Sequence, residues 1–193
     1  MQRREVHTRA LVLGRRSAGE GSVRVTLYTE DLGLVSAVAK SAREERSKLR
    51  PHLVDGTRGT YSLVKGKEVW RLTGAVHATN SYFECATTEQ RESSARVLSL
   101  LRQFIQGEGA DADLFASVWE YLEALPTLSD VDVRVAEYVV VLRVLAALGY
   151  VARGNGVDDL LGAEYSAALL VIAKERQKDL VRMINEGIGA SGL

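Results

Sequence analysis

The spacing of apolar residues changes once along this chain, near Tyr82, and that change sets the fold class. Before it, apolar and polar residues alternate. Val23, Val25 and Leu27 lie on one face of an extended segment, and Arg24, Thr26 and Tyr28 on the other. Residues 8–13 form a short apolar run, and residues 34–39 follow a turn at Asp31-Leu32-Gly33. Residues 60–64 and 69–76 flank Lys65-Gly66-Lys67-Glu68, a hairpin connection. These segments predict five short strands. Residues 43–53, between the third and the fourth, are expected to be partly helical. Five strands with a helical insert at that place is the order of an OB-fold barrel, and the count alone also fits an SH3-like barrel.

Beyond Tyr82 the period becomes helical. Thr87 and Gln90 have the spacing of a capping box. Val97, Leu98, Leu101, Phe104 and Ile105 then share one helix face, and Gly107 ends the run. Asp113 is expected to cap a helix through Phe115, Val118, Trp119 and Leu122 that stops near Pro126. Ser129, with Asp132 three residues on, caps the next, which runs to Gly149 although Val139-Val140-Val141 favours strand. After Gly154-Asn155-Gly156, residues 163–186 predict a last helix and residues 187–193 a frayed tail. The expected class is α+β: a five-stranded barrel over residues 1–80, then an α-helical bundle over residues 81–193.

Charge divides at the same place. The whole chain carries 25 Lys+Arg and 25 Asp+Glu. Residues 1–80 hold 15 basic and 8 acidic side chains, a net of +7, and residues 81–193 carry a net of −7. Such asymmetry points to a polyanionic partner for the basic half. Its densest part is residues 39–51, where Lys40, Arg43, Arg46, Lys48 and Arg50 face only Glu44 and Glu45. A basic, weakly apolar loop leaving a small β-domain suits a phosphate backbone.

Several classes are disfavoured. Cys85 is the only cysteine among 193 residues, so neither an internal disulfide nor a cysteine-based zinc site is available. It reads as a small apolar packing residue. His7, His52 and His77 have no metal-site spacing, and no cofactor is expected. The glycines of residues 14–21 open like a phosphate-binding ATPase loop, but Glu20 stands where that loop needs lysine, and a carboxylate there repels phosphate. The segment reads instead as a mobile loop between the first two strands. No Ser-His-Asp or paired-carboxylate pattern rises above chance, so no enzyme activity is expected. The N-terminus leads into no apolar signal segment, and the apolar run 138–148 contains Arg143 and is too short to span a bilayer. A cytoplasmic protein, without membrane contact, is the default expectation.

Several segments resemble, in order and spacing, the RecO family of bacterial recombination mediators. They are Ala10-Leu11-Val12-Leu13, Gly19-Glu20, residues 25–35, Ala39-Lys40-Ser41-Ala42-Arg43 and Ser47-Lys48-Leu49-Arg50. The match is good over residues 8–53 and weaker at Leu72-Thr73 and at residues 145–150, which end in Leu-Gly-Tyr. The family often has glycine where this chain has Ser41. Many relatives carry a four-cysteine zinc module after the Leu-Gly-Tyr helix, whereas residues 151–162 contain no cysteine. The resemblance implies an OB-fold followed by a helical domain, and a place at the nucleoid. It also implies binding to single- and double-stranded DNA, strand annealing, and loading of recombinase onto DNA coated with single-strand-binding protein. The implied partners are RecR and the acidic C-terminal tail of the single-strand-binding protein.

The candidate DNA-binding residues are Arg15, Arg16, Arg24, Lys40, Arg43, Arg46, Lys48 and Arg50, long cations suited to neutralising phosphates without reading sequence. Tyr28 fits a base-stacking role or a core role equally, while Trp70 reads first as core. In the helical half, Arg134 and Arg143 lie beside the apolar 135–148 run and are the candidates for rimming a pocket for an acidic tail. The rival reading is an interaction adaptor whose helical domain is the active surface and whose barrel is scaffold.

Overall fold

The computed structural model describes residues 5–107, 109–152, 154, 156–162 and 164–192. Five strands form a closed barrel in the order β1-β2-β3-β5-β4: β1 (Glu5–Ser17), β2 (Val23–Thr29), β3 (Gly33–Ala39), β4 (Thr57–Lys65) and β5 (Trp70–Asn80). All neighbours are antiparallel except β3 and β5, which pair in parallel. This is the OB-fold order. The first half of β1 pairs with β4 and the second half with β2, so one strand closes the barrel. Ala10, Val12, Val25, Leu27, Val35, Ala37, Tyr61, Leu63, Trp70 and Leu72 fill its interior.

The strands outrun the apolar pattern that predicts them. β1 extends on both sides of residues 8–13, and β5 runs past Val76 to Asn80. Those ends are mostly exposed, so alternation fades while ladder hydrogen bonding continues. Residues 43–53 are mainly turns, with a single 3-10 turn at Arg50–Leu53. Ser41 opens that loop with φ of 53°. A left-handed backbone there explains why glycine suits the position.

The compact unit containing the barrel comprises Met1–Glu84 with Leu98–Phe115. The added segment covers one part of the barrel's outer wall. The register places Leu11, Tyr28 and Leu34 side by side on that wall. Tyr28 packs on Phe115 with ring centroids 5.3 Å apart, and the Leu34 amide donates to the Gly107 carbonyl at 3.1 Å. Tyr28 is therefore core and no stacking platform. Burial holds its phenol well above the ordinary tyrosine range.

A β-bulge interrupts the β1–β2 register between Val12 and Gly14. Val12 opposes Leu27, but Gly14 opposes Thr26, so Leu13 is the extra residue. The Val12 carbonyl accepts from the Gly56 amide at 2.8 Å, and the Leu13 carbonyl accepts from Nε of Arg102. Arg102 also donates to Asp55 at 2.9 Å. It belongs to α2 (Thr88–Phe104), whose start has the expected capping box: the Gln90 amide donates to Thr87 Oγ1 and the Thr87 amide to Gln90 Oε1, both at 3.2 Å.

The second unit comprises Cys85–Val97 with Ala116–Leu193. Besides α1 (Ser81–Glu84), the helices are α3 (Ala112–Ala124), α4 (Asp130–Ala147), α5 (Asp158–Leu161), α6 (Ala167–Glu175) and α7 (Gln177–Ser191). α3 is capped by Asp111, whose Oδ1 accepts from the Leu114 amide at 2.9 Å, and not by Asp113. α4 starts at Ser129 as expected and is buried round most of its circumference, which overrides the strand preference of its valines. The single helix expected over 163–186 is two, broken at Arg176, and helix continues to Ser191 where a frayed tail was expected. Ala163 and Asn155 lie outside the described residues. Cys85 is buried. No helix among the described residues is long and apolar enough to cross a membrane.

Two stability measurements check this account. A Cβ at Gly59 would sit 2.9 Å from the Ala78 backbone, whereas one at Gly14 would meet nothing within 4 Å. Gly59→Ala is expected to cost about 1–3 kcal/mol in urea unfolding, and Gly14→Ala well under 1 kcal/mol. Arg102→Ala leaves the buried Leu13 carbonyl unpaired and is expected to cost about 1–3 kcal/mol. Asp55→Asn, which weakens only an exposed ion pair, is expected to cost less than about 1 kcal/mol.

Candidate nucleic-acid interface

The bulge decides which way the second half of β1 points. Beyond it Arg15 opposes Val25, an interior position, while Arg16 opposes Arg24 on the outer wall. Arg15 lies past the end of the packed core and is exposed at the mouth of the barrel. The β3–β4 loop reaches the same mouth. Ala42 and Leu53 are buried in the core and Leu49 packs against it, so apolar anchors hold a loop whose exposed side chains are mostly charged. The Arg43 amide donates to the Gly21 carbonyl at 3.0 Å, and its guanidinium donates to Ser17 Oγ at 3.0 Å, tying the loop to β1 and to the β1–β2 connection. The Tyr61 hydroxyl, itself buried, donates to the His52 carbonyl at 2.8 Å and fixes the loop's end.

These anchors create an open groove of about 560 Å3. Its polar lining is Arg15, Arg16, Arg43, Arg50 and Ser17, over an apolar floor of Val23, Ala42 and Leu53. Four of the eight predicted cations thus converge. Arg24 stands directly across the strand pair from Arg16. Lys40, Arg46 and Lys48 are exposed on the loop but do not line the groove. Among the described residues none of the eight forms an ion pair with a carboxylate. Like charges gathered without counter-charge make a surface whose stable state includes an anion.

The helical unit treats its cations differently. Arg96 donates to Glu137 with two nitrogens at 2.8 Å, and Glu137 also accepts from Ser93 at 2.5 Å. Arg134 is exposed and lies 3.5 Å from Glu89. It shares a shallow depression of about 410 Å3 with Glu89, Arg96, Glu137 and Tyr138. Arg143 corrects the sequence reading. It is 5% exposed, donates to the Leu160 carbonyl at 2.7 Å and to Ser117 at 3.2 Å, and lies 4.7 Å from the centre of the Tyr165 ring. A cation committed in this way holds α4 to its neighbours and does not rim a surface pocket, which leaves Arg134 as the exposed member of the pair.

Trp70 is core as expected, with Lys65 Nζ 5.4 Å from its ring centre. His7 is hydrogen-bonded to Ser62 at 2.9 Å. Among the described residues no group of three or more His, Cys, Asp or Glu is arranged to hold a metal. Sequence reasoning missed Arg102, which positions the groove through the β1 carbonyl. Its helical spacing marks it only as a solvent-facing position, and nothing local signals a contact 89 residues away.

Comparison with known proteins agrees with the barrel. Residues 1–80 match the family model described as recombination protein O N terminal. Over 126 residues the chain is 30% identical to the protein named DNA repair protein RecO from Dehalococcoides mccartyi, covering 65% of this chain and 49% of that one. The protein of the same name from Chlorobium phaeobacteroides is 30% identical over 129 residues, covering 65% and 49%, and that from Heliobacterium modesticaldum is 32% identical over 120 residues, covering 61% and 44%. The chain spans about half the length of the curated relatives it matches. The residues that match the family model are those of the closed OB barrel, and the similarity to relatives that share one name runs on beyond it.

Proposed function

We propose that this chain is a non-enzymatic DNA repair and recombination mediator whose barrel grips the phosphate backbone. The observation that carries this reading is the groove of Arg15, Arg16, Arg43 and Arg50, four cations with no carboxylate partner among the described residues, on the barrel that matches the family. Guanidinium groups bind phosphates bidentately and carry no sequence information of their own. Lys40, Arg24, Arg46 and Lys48 extend the contact along the loop and the wall. The chain binds single- and double-stranded DNA in this reading, anneals complementary strands, and assists recombinase loading on DNA coated with single-strand-binding protein. A RecR-like protein and the acidic tail of the single-strand-binding protein are its proposed partners, with Arg134 on the tail's path. The proposed setting is the cytoplasm, at the nucleoid. Residues 1–80 carry the DNA-binding role, and the acidic remainder of the chain the packing and protein contacts.

Titrating the full chain into labelled oligonucleotides of several sequences, at a series of salt concentrations, tests the reading. Binding is expected to be salt-sensitive and nearly sequence-independent. Arg43→Gln with Arg50→Gln is expected to weaken it on every sequence and to flatten the log–log salt slope by about 0.7 for each lost contact to a single strand. Unchanged affinity in the folded double variant removes the groove from the interface. Annealing of strands precoated with single-strand-binding protein is expected to fall in parallel. Annealing that survives loss of DNA binding favours the adaptor reading.

A further inference from the structure

The barrel register carries the cationic surface beyond the groove, onto the outer wall. Arg16 opposes Arg24 across β1 and β2, Arg24 opposes Val38 across β2 and β3, and Val38 lies beside Arg71 across β3 and β5. Paired residues share a face. The positions one step along each strand, Val25, Ala37 and Trp70, point into the core. Arg16, Arg24, Val38 and Arg71 therefore form one row on the outer wall, running across the strands. With strands about 4.8 Å apart, Arg16 and Arg24 are one spacing apart, and Arg24 and Arg71 two, or about 10 Å.

Three features mark this row as a binding track. Two arginines directly opposite each other destabilise a strand pair unless something neutralises them. Among the described residues neither they nor Arg71 pairs with a carboxylate. The next row of the same wall is Gly14, Thr26 and Ser36, so no bulky side chain overhangs it on that side. Farther along, the wall at Leu11, Tyr28 and Leu34 is buried under the 98–115 segment, whereas at the cationic end Arg16 is exposed and Arg24 and Arg71 are half-buried. The nearest carboxylate along the row is Glu5, beyond Val64.

We propose that a single DNA strand leaves the groove at Arg16 and crosses the outer wall over Arg24 and Arg71, making Arg71 a DNA contact. The inference rests on the DNA-binding reading of the groove. The occupant is a single strand because the wall is convex. A duplex, stiff over about 150 base pairs, touches a convex surface along a short arc, whereas a flexible strand follows it. The contacts are to phosphates, so the track is indifferent to sequence.

The test uses the full chain with labelled oligothymidine and a duplex of the same length, across a salt series. R24Q and R71Q are each expected to flatten the single-strand slope by about 0.7. R71K is expected to retain it, and K67Q, on the β4–β5 turn and off the row, to leave it unchanged. R24Q is also expected to be no less stable to urea than the parent chain, because it removes an opposed charge. Slope loss in R43Q with none in R24Q and R71Q overturns the track and leaves the groove standing. Equal losses on the duplex overturn the single-strand assignment. A parent chain without salt-dependent binding removes the underlying reading and the track with it.

Discussion

The β1 bulge, with Leu13 as its extra residue, determines where the rest of the strand points, and the Val12 and Leu13 carbonyls at the bulge accept from the Gly56 amide and from Arg102. A shift of one residue in a strand moves every later side chain to the other face. Without Leu13 as the extra residue, Arg15 would share the outer wall with Arg24, and Arg16 would point at the barrel interior. The bulge thus places one arginine at the mouth beside Arg43 and Arg50 and the next on the wall beside Arg24. The amide and the guanidinium that hold its carbonyls come from segments distant in sequence.

Both compact units pair cations with carboxylates, and the barrel's mouth is the exception. In the helical unit Arg96, Arg134 and Lys174 face Glu137, Glu89 and Asp132. Lys174 beside it holds the Asp132 carboxyl below the usual range. Arg143 is enclosed among carbonyl, hydroxyl and ring. Cations so engaged serve the fold. On the barrel, Arg9 with Glu30, Arg58 with Glu84 and Arg102 with Asp55 follow the same rule. The mouth and the cationic end of the wall depart from it. Since exposed arginines easily find carboxylates on a mixed-charge surface, a connected set that lacks them is a specific feature, even though each arginine alone is ordinary.

Much of the barrel was legible because its interior obeys a period of two. Residues 23–29 show both faces in the sequence, since β2 buries Val25 and Leu27 on one side and packs Val23 against the same core. The outer face was harder. Arg24, Thr26 and Tyr28 share it, yet Tyr28 is covered by a segment some 80 residues later while Arg24 is only half-buried, and no local pattern carries that difference. The loop cations were legible as a charge run, but only the anchors Ala42, Leu49 and Leu53 decide which of them face the groove. Arg71 and Arg102 were invisible for the same reason: their roles come from cross-strand register and from a helix end meeting a bulge. Arg143 misled because an apolar run with one cation looks identical whether the cation is snorkelling or enclosed.

The central claim is that the DNA backbone is held by the unpaired arginines of the barrel and not by the paired ones of the helices. Arginine side-chain Nε–Hε resonances of the full chain, followed by NMR during titration with oligothymidine, address it directly. The account predicts that signals of Arg15, Arg16, Arg24, Arg43 and Arg50 move on binding while those of Arg96 and Arg143 stay fixed. Perturbations confined to the arginines of the helical unit, with the barrel signals unmoved, would contradict it.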